Sequence, residues 1–231
     1  MQSVLTEKEK YYLQQGFLSD IELYYSPKFI SNDRIIIDGD ELHHIKDVMR
    51  HKEGDEIFIT DGIGNLYKTK IIFVKKSEAE CSIIEKKYYN NEFKNIVFCL
   101  PRLKNNDRFE FALEKSVELG ITTFIVFESE RTIAKGDKSS KWNKFLISAM
   151  KQSIRTWLPK IEYKKSINFL NDIIGKKIIL DQKAENNISE CFINISEKEY
   201  FIFGPEGGLT ASEIEKINPN LKVRLTNNRL R

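Results

Sequence analysis

The chain has 231 residues, of which 41% are hydrophobic and 31% charged, a balance that is typical of a globular protein and excludes a disordered one. No stretch approaches the roughly 20 uninterrupted apolar residues that a membrane-spanning helix requires, so a membrane protein is excluded. The net charge is only +3, from 37 basic and 34 acidic residues, so any attraction for a polyanion must be local.

The cysteines and the start of the chain indicate a reducing cytoplasm. Cys81, Cys99 and Cys191 are an odd number, lie far apart and form no Cys-x-x-Cys pair. A disulfide framework and a cysteine zinc site are therefore both disfavoured. Residues 1–16 carry charges throughout and lack the apolar core of a secretory signal.

Residues 1–20 form a polar extension with a short helix predicted around Glu7 to Gln15, and residues 21–90 are predicted to form a small β domain. Closely spaced strands with tight turns are typical of a β-barrel or sandwich. One helix, from Gly39 to Arg50, is expected to pack on it because its apolar residues recur at helical spacing. The predicted strands are Arg34–Asp38, Asp55–Thr60, Asn65–Val74 and Ala79–Ile84.

Residues 91–231 are predicted to form an α/β domain. Continuous apolar runs alternate here with helical patterns, which indicates a parallel sheet covered on both faces. The predicted strands are Asn95–Leu100, Thr122–Phe127, Lys177–Leu180, Tyr200–Phe203 and Leu221–Leu225, and the predicted helices are Asp107–Gly120, Ser140–Trp157 and Leu209–Ile217.

The most informative segment is the glycine-rich stretch from Gly204 to Gly208. It follows a buried strand and precedes a helix for which Thr210 and Glu213 predict a capping box. Ligands of parallel sheets bind beyond the carboxyl ends of strands, and glycine lets the backbone approach a ligand closely. An ordinary strand-to-helix turn is the alternative. The stretch is neither a P-loop nor a dinucleotide fingerprint.

Positive charge is concentrated between Arg131 and Lys165. This window holds ten basic and two acidic residues, a net charge of +8, which leaves −5 for the rest of the chain. Gln152 and Arg155 are expected to share one helix face and suit a phosphate or a base edge. Trp157 is interpreted as a core residue. A solvated, lysine-rich helix is the alternative explanation of the charge.

Other kinds of site have little support. His43, His44 and His51 are interpreted as surface or packing residues, because a metal site needs convergent ligands. No Gly-x-Ser-x-Gly or His-Glu-x-x-His pattern occurs, so hydrolase chemistry is not indicated.

Four stretches together resemble the RsmE family of 16S ribosomal RNA uridine N3-methyltransferases, members of the SPOUT class. The resemblance extends from about Tyr24 to Arg231. The stretches are Leu42–Arg50 with Gly54 and Asp55, Glu114–Gly120 with Arg131, Ala149–Arg155 with Pro159, and Phe203–Gly208.

The resemblance implies a PUA-like β-barrel that helps to hold RNA, followed by a SPOUT domain with a trefoil knot. It implies S-adenosylmethionine as the cofactor, 16S ribosomal RNA or the small ribosomal subunit as the partner, and a homodimer. No metal is needed. Arg155 and Glu206 are the candidate catalytic residues. The expected cofactor-binding residues are Leu180, Gly204, Pro205, Glu206, Gly207, Gly208, Leu225, Asn227 and Leu230, and the expected RNA-binding residues are Arg50, Arg131, Gln152, Arg155 and Arg231.

The last residues depart from the family pattern Leu-Gly-x-Arg-Ile-Leu-Arg, which is followed by Glu-Thr-Ala and a terminal helix. Thr226, Asn228 and Arg229 stand where that pattern has glycine, arginine and isoleucine. Either the chain continues past Arg231, or the methyl-donor site is impaired and the protein is a non-catalytic RNA-binding relative. A third alternative is a methyltransferase of the same class that acts at another RNA position.

Overall fold

The computed structural model describes residues 21–191 and 193–227, so the predicted helix near the start lies outside the described residues. The chain divides into two compact units between Tyr88 and Tyr89. No helix of the described residues is both long and apolar enough to cross a lipid bilayer.

The first unit is a mixed six-stranded sheet with one short helical segment. Antiparallel pairing dominates, and within residues 21–88 only the first and fourth strands pair in parallel. The strands are β1 (Leu23–Tyr25), β2 (Phe29–Ser31), β3 (Arg34–Ile37), β4 (Glu56–Thr60), β5 (Asn65–Val74) and β6 (Ala79–Tyr88). Their order in the sheet is β1-β4-β5-β6-β3-β2.

The helix predicted from Gly39 to Arg50 is two segments. An α-helix, α1 (Gly39–His43), continues into one π-helical turn, His44–Val48. The chain then leaves the helix at Arg50, whose positive φ of 57° stops further helical hydrogen bonding. Leu42 and Ile45 are buried in the core of the unit, which confirms that this segment packs on the sheet.

The second unit is a seven-stranded, fully parallel sheet, as the apolar runs predict. The strands are β7 (Ile96–Pro101), β8 (Thr123–Phe127), β9 (Lys160–Lys164), β10 (Lys176–Leu180), β11 (Asn186–Asn187), β12 (Glu199–Phe203) and β13 (Leu221–Arg224). Their order in the sheet is β11-β13-β10-β12-β7-β8-β9. The sequence did not predict β9 and β11 because neither is an apolar run.

In the described part of the second unit, three α-helices accompany the sheet. They are α2 (Asn106–Glu118), α3 (Ser139–Gln152) and α4 (Ala211–Ile217). Phe109 and Trp142 bring α2 and α3 together, with ring centroids 5.3 Å apart. One core cluster packs α4 against the sheet through Ile217, and it includes Phe127, Ile179 and Ile202 of the strands.

The prediction that α3 continues to Trp157 is wrong. The helix ends at Gln152, and Ile154 adopts a left-handed φ of 53°. The N–H of Arg155 then donates to the Met150 carbonyl, and the N–H of Ile154 donates to the Lys151 carbonyl. These two bonds are a Schellman motif, which normally has glycine at its left-handed position, so the sequence carries no stop signal there.

Candidate active site

Three neighbouring strands of the second unit end at the same level. Leu180 of β10 pairs in register with Phe203 of β12 and with Val223 of β13. The segments that follow, at Asp181, Gly204 and Leu225, therefore begin at one edge of the sheet, the carboxyl edge. Ligands of parallel α/β sheets bind at this edge, so all three expected cofactor segments meet where a ligand site is expected.

The glycine loop, Gly204–Gly208, is a tight turn held by its own backbone. The N–H of Gly208 donates to the Pro205 carbonyl at 2.8 Å, and Gly208 has a φ of +69°. A Cβ built on Gly208 meets no atom within 4 Å, so open space lies beside the loop at this point. Glycine is needed there for its backbone conformation, and the resulting space is available to a ligand.

The helix after the glycine loop begins as the sequence predicts. Thr210 is the N-cap of α4, and the capping box with Glu213 is confirmed. The Glu213 side chain is only 3% exposed, and its second oxygen accepts a hydrogen bond from the Glu130 N–H at 2.8 Å. One buried carboxylate thus joins the start of α4 to the loop that follows β8.

Arg131 makes a second connection from the loop after β8, this time to the glycine loop itself. Its Nη1 donates to the Gly207 carbonyl at 2.6 Å. A Cβ on Gly207 would lie 3.3 Å from Cδ of Arg131 and 3.5 Å from its Cβ, so the absence of a side chain at Gly207 lets the arginine lie close to the loop. Arg131 is exposed and is one of the expected RNA-binding residues.

Arg102 is a buried cation at the same edge that sequence reasoning missed. It directly follows β7, is 2% exposed, and lies over the rings of Phe109 and Trp142 at 5.7 and 5.5 Å. Its Nη atoms donate to the Leu103 carbonyl and to Asn106, while Nε is buried without a hydrogen bond. A basic residue directly after an apolar strand was the available signal, since parallel strands end at the ligand edge.

Glu128 is another residue that the sequence did not single out. The Tyr163 hydroxyl and the Gly136 N–H both donate to its Oε1. Burial on its own raises the pKa of Glu128, but these hydrogen bonds and the charges of Lys135 and Lys165 outweigh burial and hold that pKa below its usual value. Glu128 is therefore a carboxylate that orders the loop between β8 and α3.

The segment after β13 is described only through Asn227. Leu225 is 45% exposed, and the Asn227 side chain accepts a hydrogen bond from Nε of Arg224 at 2.8 Å. Arg224 also donates to the carbonyls of Ala184 and Glu185, so it links this segment to the loop after β10. Asn228, Arg229, Leu230 and Arg231 lie outside the described residues.

Arg155 lies at the opposite edge of the sheet from the glycine loop. Its Nε donates to the Glu118 carbonyl at 3.1 Å and its Nη2 donates to the same oxygen, at the end of α2. Nearby, Nε1 of Trp157 donates to the Tyr89 carbonyl at 2.8 Å, ahead of β7. These residues precede strands and so mark the amino edge, roughly 16 Å from the carboxyl edge for strands of this length.

The expected pairing of Gln152 with Arg155 on one helix face is wrong, because α3 ends at Gln152 and the chain turns at Ile154 before Arg155. Gln152 is exposed at the end of the helix. Glu206 is also exposed and has no hydrogen bond or ion pair within the described part of the chain. Within one copy of the chain, the two candidate catalytic residues are therefore at opposite edges of the sheet.

Replacing Arg155 with alanine is expected to lower the free energy of unfolding by about 1 kcal/mol, because the last carbonyl of α2 loses two donors. Urea unfolding measures this change. Lys144→Ala removes an exposed positive charge from α3 and serves as the control. Equal stability of the two variants would contradict the structural role of the Arg155 contact.

The first unit holds the remaining candidate residues. Arg50 is exposed and lies two residues after the end of the π-helical turn. Two histidines flank one carboxylate, with Glu22 at 3.4 Å from His44 and 4.0 Å from His51. Among the described residues, no three histidine, cysteine, aspartate or glutamate side chains converge as a metal ion would require.

The amino-acid sequence of this chain is similar to those of known RNA methyltransferases. A family model described as an RNA methyltransferase domain matches residues 90–231, and one described as an RNA methyltransferase PUA domain matches residues 37–84. The ribosomal RNA small subunit methyltransferase E of Aquifex aeolicus is 31% identical over 201 residues, which cover 84% of this chain and 85% of that protein. The Bacillus subtilis protein of the same name is 29% identical over 197 residues, with coverages of 78% and 77%.

A solved structure extends the similarity to three dimensions. The ribosomal RNA small subunit methyltransferase E of Neisseria gonorrhoeae, bound to S-adenosyl methionine, is 25% identical. It superimposes with a TM-score of 0.80 over 91% of each chain.

Proposed function

The chain belongs to the ribosomal RNA small subunit methyltransferase E family, with an RNA methyltransferase domain and a PUA domain, and we propose that it methylates N3 of one uridine in 16S ribosomal RNA with S-adenosylmethionine as the methyl donor. The observation that carries the proposal is the glycine loop at the carboxyl edge, where three in-register strands end. Similarity to a relative solved with this donor supports the assignment.

The residues at the carboxyl edge fit an adenosyl group. Leu180, Phe203 and Leu209 are half-buried and Leu225 is exposed, so apolar side chains are available as walls. The glycine loop adds backbone that a ligand can approach closely and open space at Gly208. When bound, the donor supplies an electrophilic methyl group. The protein's part is to hold the donor and the uridine in line, which can contribute about 7–11 kcal/mol.

Uridine N3 must lose a proton during transfer. Glu206 is the carboxylate of the glycine loop and is exposed, so it can accept a proton from a base held against the loop. Arg131 carries positive charge at the same edge and suits an RNA phosphate. Arg50 in the PUA domain is an exposed cation that we propose as a further RNA contact.

We propose a homodimer as the functional unit. Within one copy, Arg155 is at the amino edge and the glycine loop is at the carboxyl edge. A second copy can bring its own Arg155 to the loop of the first, and there the guanidinium can stabilise a uracil anion or hold a phosphate.

The same proposal includes two features of the fold, which are the SPOUT trefoil knot in the second unit and closure of the first sheet into a PUA-like barrel. It also places the protein in the cytoplasm, where the free cysteines stay reduced.

The proposal is tested by following donor binding and methyl transfer separately. Calorimetry with S-adenosylmethionine is expected to give one site per chain. Transfer of a radiolabelled methyl group to 16S ribosomal RNA from a strain that lacks the modification follows, and mass spectrometry of the nucleosides is expected to give N3-methyluridine. RNA binding without donor binding would indicate the non-catalytic relative. Methylation of another atom or base would indicate a related activity.

Replacing Gly208 with alanine is expected to weaken donor binding about tenfold, because holding alanine at this left-handed φ costs about 1–2 kcal/mol. Titration calorimetry measures the effect. Gly54→Ala introduces a similar conformational cost in the first unit, at a φ of 93°, and is expected to leave donor affinity unchanged. Unchanged affinity in Gly208→Ala would show that the conformation of the loop does not determine binding.

A further inference from the structure

The loop after β8 and the glycine loop are joined although their strands are not neighbours. β7 lies between β8 and β12, so the two loops meet across the carboxyl end of β7. Arg131 contacts the glycine loop itself at the Gly207 carbonyl, and the Glu130 N–H donates to Glu213 in the helix that follows the loop. A displacement of the Arg131 side chain therefore acts on the backbone of the glycine loop through a direct hydrogen bond.

Arg131 also has capacity for a second ligand. Only its Nη1 is engaged, with the Gly207 carbonyl, and among the described residues no carboxylate pairs with it. The residue is exposed, and its Nε and Nη2 make no hydrogen bond among the described residues, so this edge of the guanidinium has unused donors. Such an edge binds a phosphate through two parallel hydrogen bonds. One guanidinium can thus hold the loop on one side and an RNA phosphate on the other.

We propose that Arg131 is a positioning residue that couples RNA binding to methyl-donor binding through the carbonyl of Gly207. The inference rests on the proposed function. A phosphate on the outer edge fixes the guanidinium, and the fixed guanidinium holds Gly207 in the conformation that receives the donor. A donor that orders the loop in turn fixes Arg131 for the phosphate. The coupling is therefore reciprocal, as linkage requires.

The coupling is measurable as a ratio of dissociation constants. Binding of a 16S ribosomal RNA transcript is measured with and without saturating S-adenosylhomocysteine, a donor analogue that has no methyl group to transfer. The full-length wild-type chain is expected to bind RNA at least about fivefold more tightly with the analogue present, the lower end of typical allosteric coupling.

Three variants separate coupling from simple charge. Arg131→Ala is expected to weaken RNA binding and to bring the ratio to about one. Arg131→Lys keeps the charge but lacks the planar guanidinium with two separate donor edges, so it is expected to recover part of the RNA affinity with little of the coupling. Gly207→Ala leaves Arg131 intact but adds a Cβ 3.3 Å from its Cδ, and it is expected to reduce the ratio. Lys94→Ala, which removes an exposed charge before β7, is the control and should retain the wild-type ratio.

The outcomes distinguish this inference from the proposed function. If the wild type transfers methyl groups and Arg131→Ala weakens RNA binding equally with and without the analogue, Arg131 is only a phosphate contact and the inference fails alone. If Arg131→Ala changes neither RNA affinity nor the ratio, the contact is only structural and the inference also fails alone. If the wild type binds no donor, the proposed function and the inference fail together.

Discussion

Glu213→Ala is expected to lower the free energy of unfolding by about 2–4 kcal/mol, because two N–H groups lose the buried carboxylate that accepts from them. These donors are the N–H groups of Thr210 and Glu130, each 2.8 Å from the carboxylate. The loss also removes one of the two contacts between the glycine loop region and the loop after β8. Methyl transfer is therefore expected to fall at least about tenfold, as small misplacements of reacting groups have such effects.

Two further variants make this prediction specific. Glu213→Gln keeps one carbonyl oxygen as an acceptor and is expected to lose about half as much stability. Glu215→Ala removes an exposed carboxylate from the same helix and is expected to change neither stability nor activity. Urea unfolding and initial rates of methyl transfer are the measurements. If Glu213→Ala matches Glu215→Ala in both, the buried carboxylate does not hold these loops together.

Gly175→Ala is expected to destabilise the fold by about 3 kcal/mol or more, the range of severe backbone and packing defects. A Cβ on Gly175 would lie 2.5 Å from the Lys198 carbonyl oxygen and 2.9 Å from the Tyr200 ring. The backbone φ of +140° is also one that alanine rarely adopts. The adjacent Lys176 N–H donates to that same Lys198 carbonyl at 2.9 Å, so relief of the clash would disturb the pairing of β10 with β12.

Gly136→Ala is the matched control for this steric effect. Gly136 also has a positive φ, of 93°, but a Cβ there meets nothing within 4 Å. It is therefore expected to cost only about 1–2 kcal/mol for the backbone conformation. Thermal and urea unfolding of both variants give the difference. Equal losses would mean that the close approach of Gly175 to Lys198 is relaxed without cost.

Local sequence patterns predicted much of the fold. The apolar runs gave the central strands of the parallel sheet because burial on both faces leaves a continuous hydrophobic signal. The capping box at Thr210 and Glu213 was readable because its two residues are three apart. The end of α3 was not readable, since isoleucine occupies a position that normally carries glycine.

The candidate site was predictable only in part. The glycine loop and its strand are contiguous in sequence, so the position of the loop followed from the strand before it. The contact of Arg131 with Gly207 joins residues 76 positions apart, and that of Glu130 with Glu213 joins residues 83 apart. No periodicity relates such residues. The location of Arg155 at the amino edge likewise depends on where α3 ends, and the sequence did not show that.

The burial of Arg102 affects how the carboxyl edge responds to ionic strength. Lys135 and Lys138 are exposed, so dissolved ions screen their fields beyond about 10 Å at 0.1 M salt. The guanidinium of Arg102 is enclosed by two aromatic rings and is screened much less. At a salt concentration that screens the long-range attraction of the lysines, the Arg102 guanidinium therefore still maintains a positive potential at the end of β7.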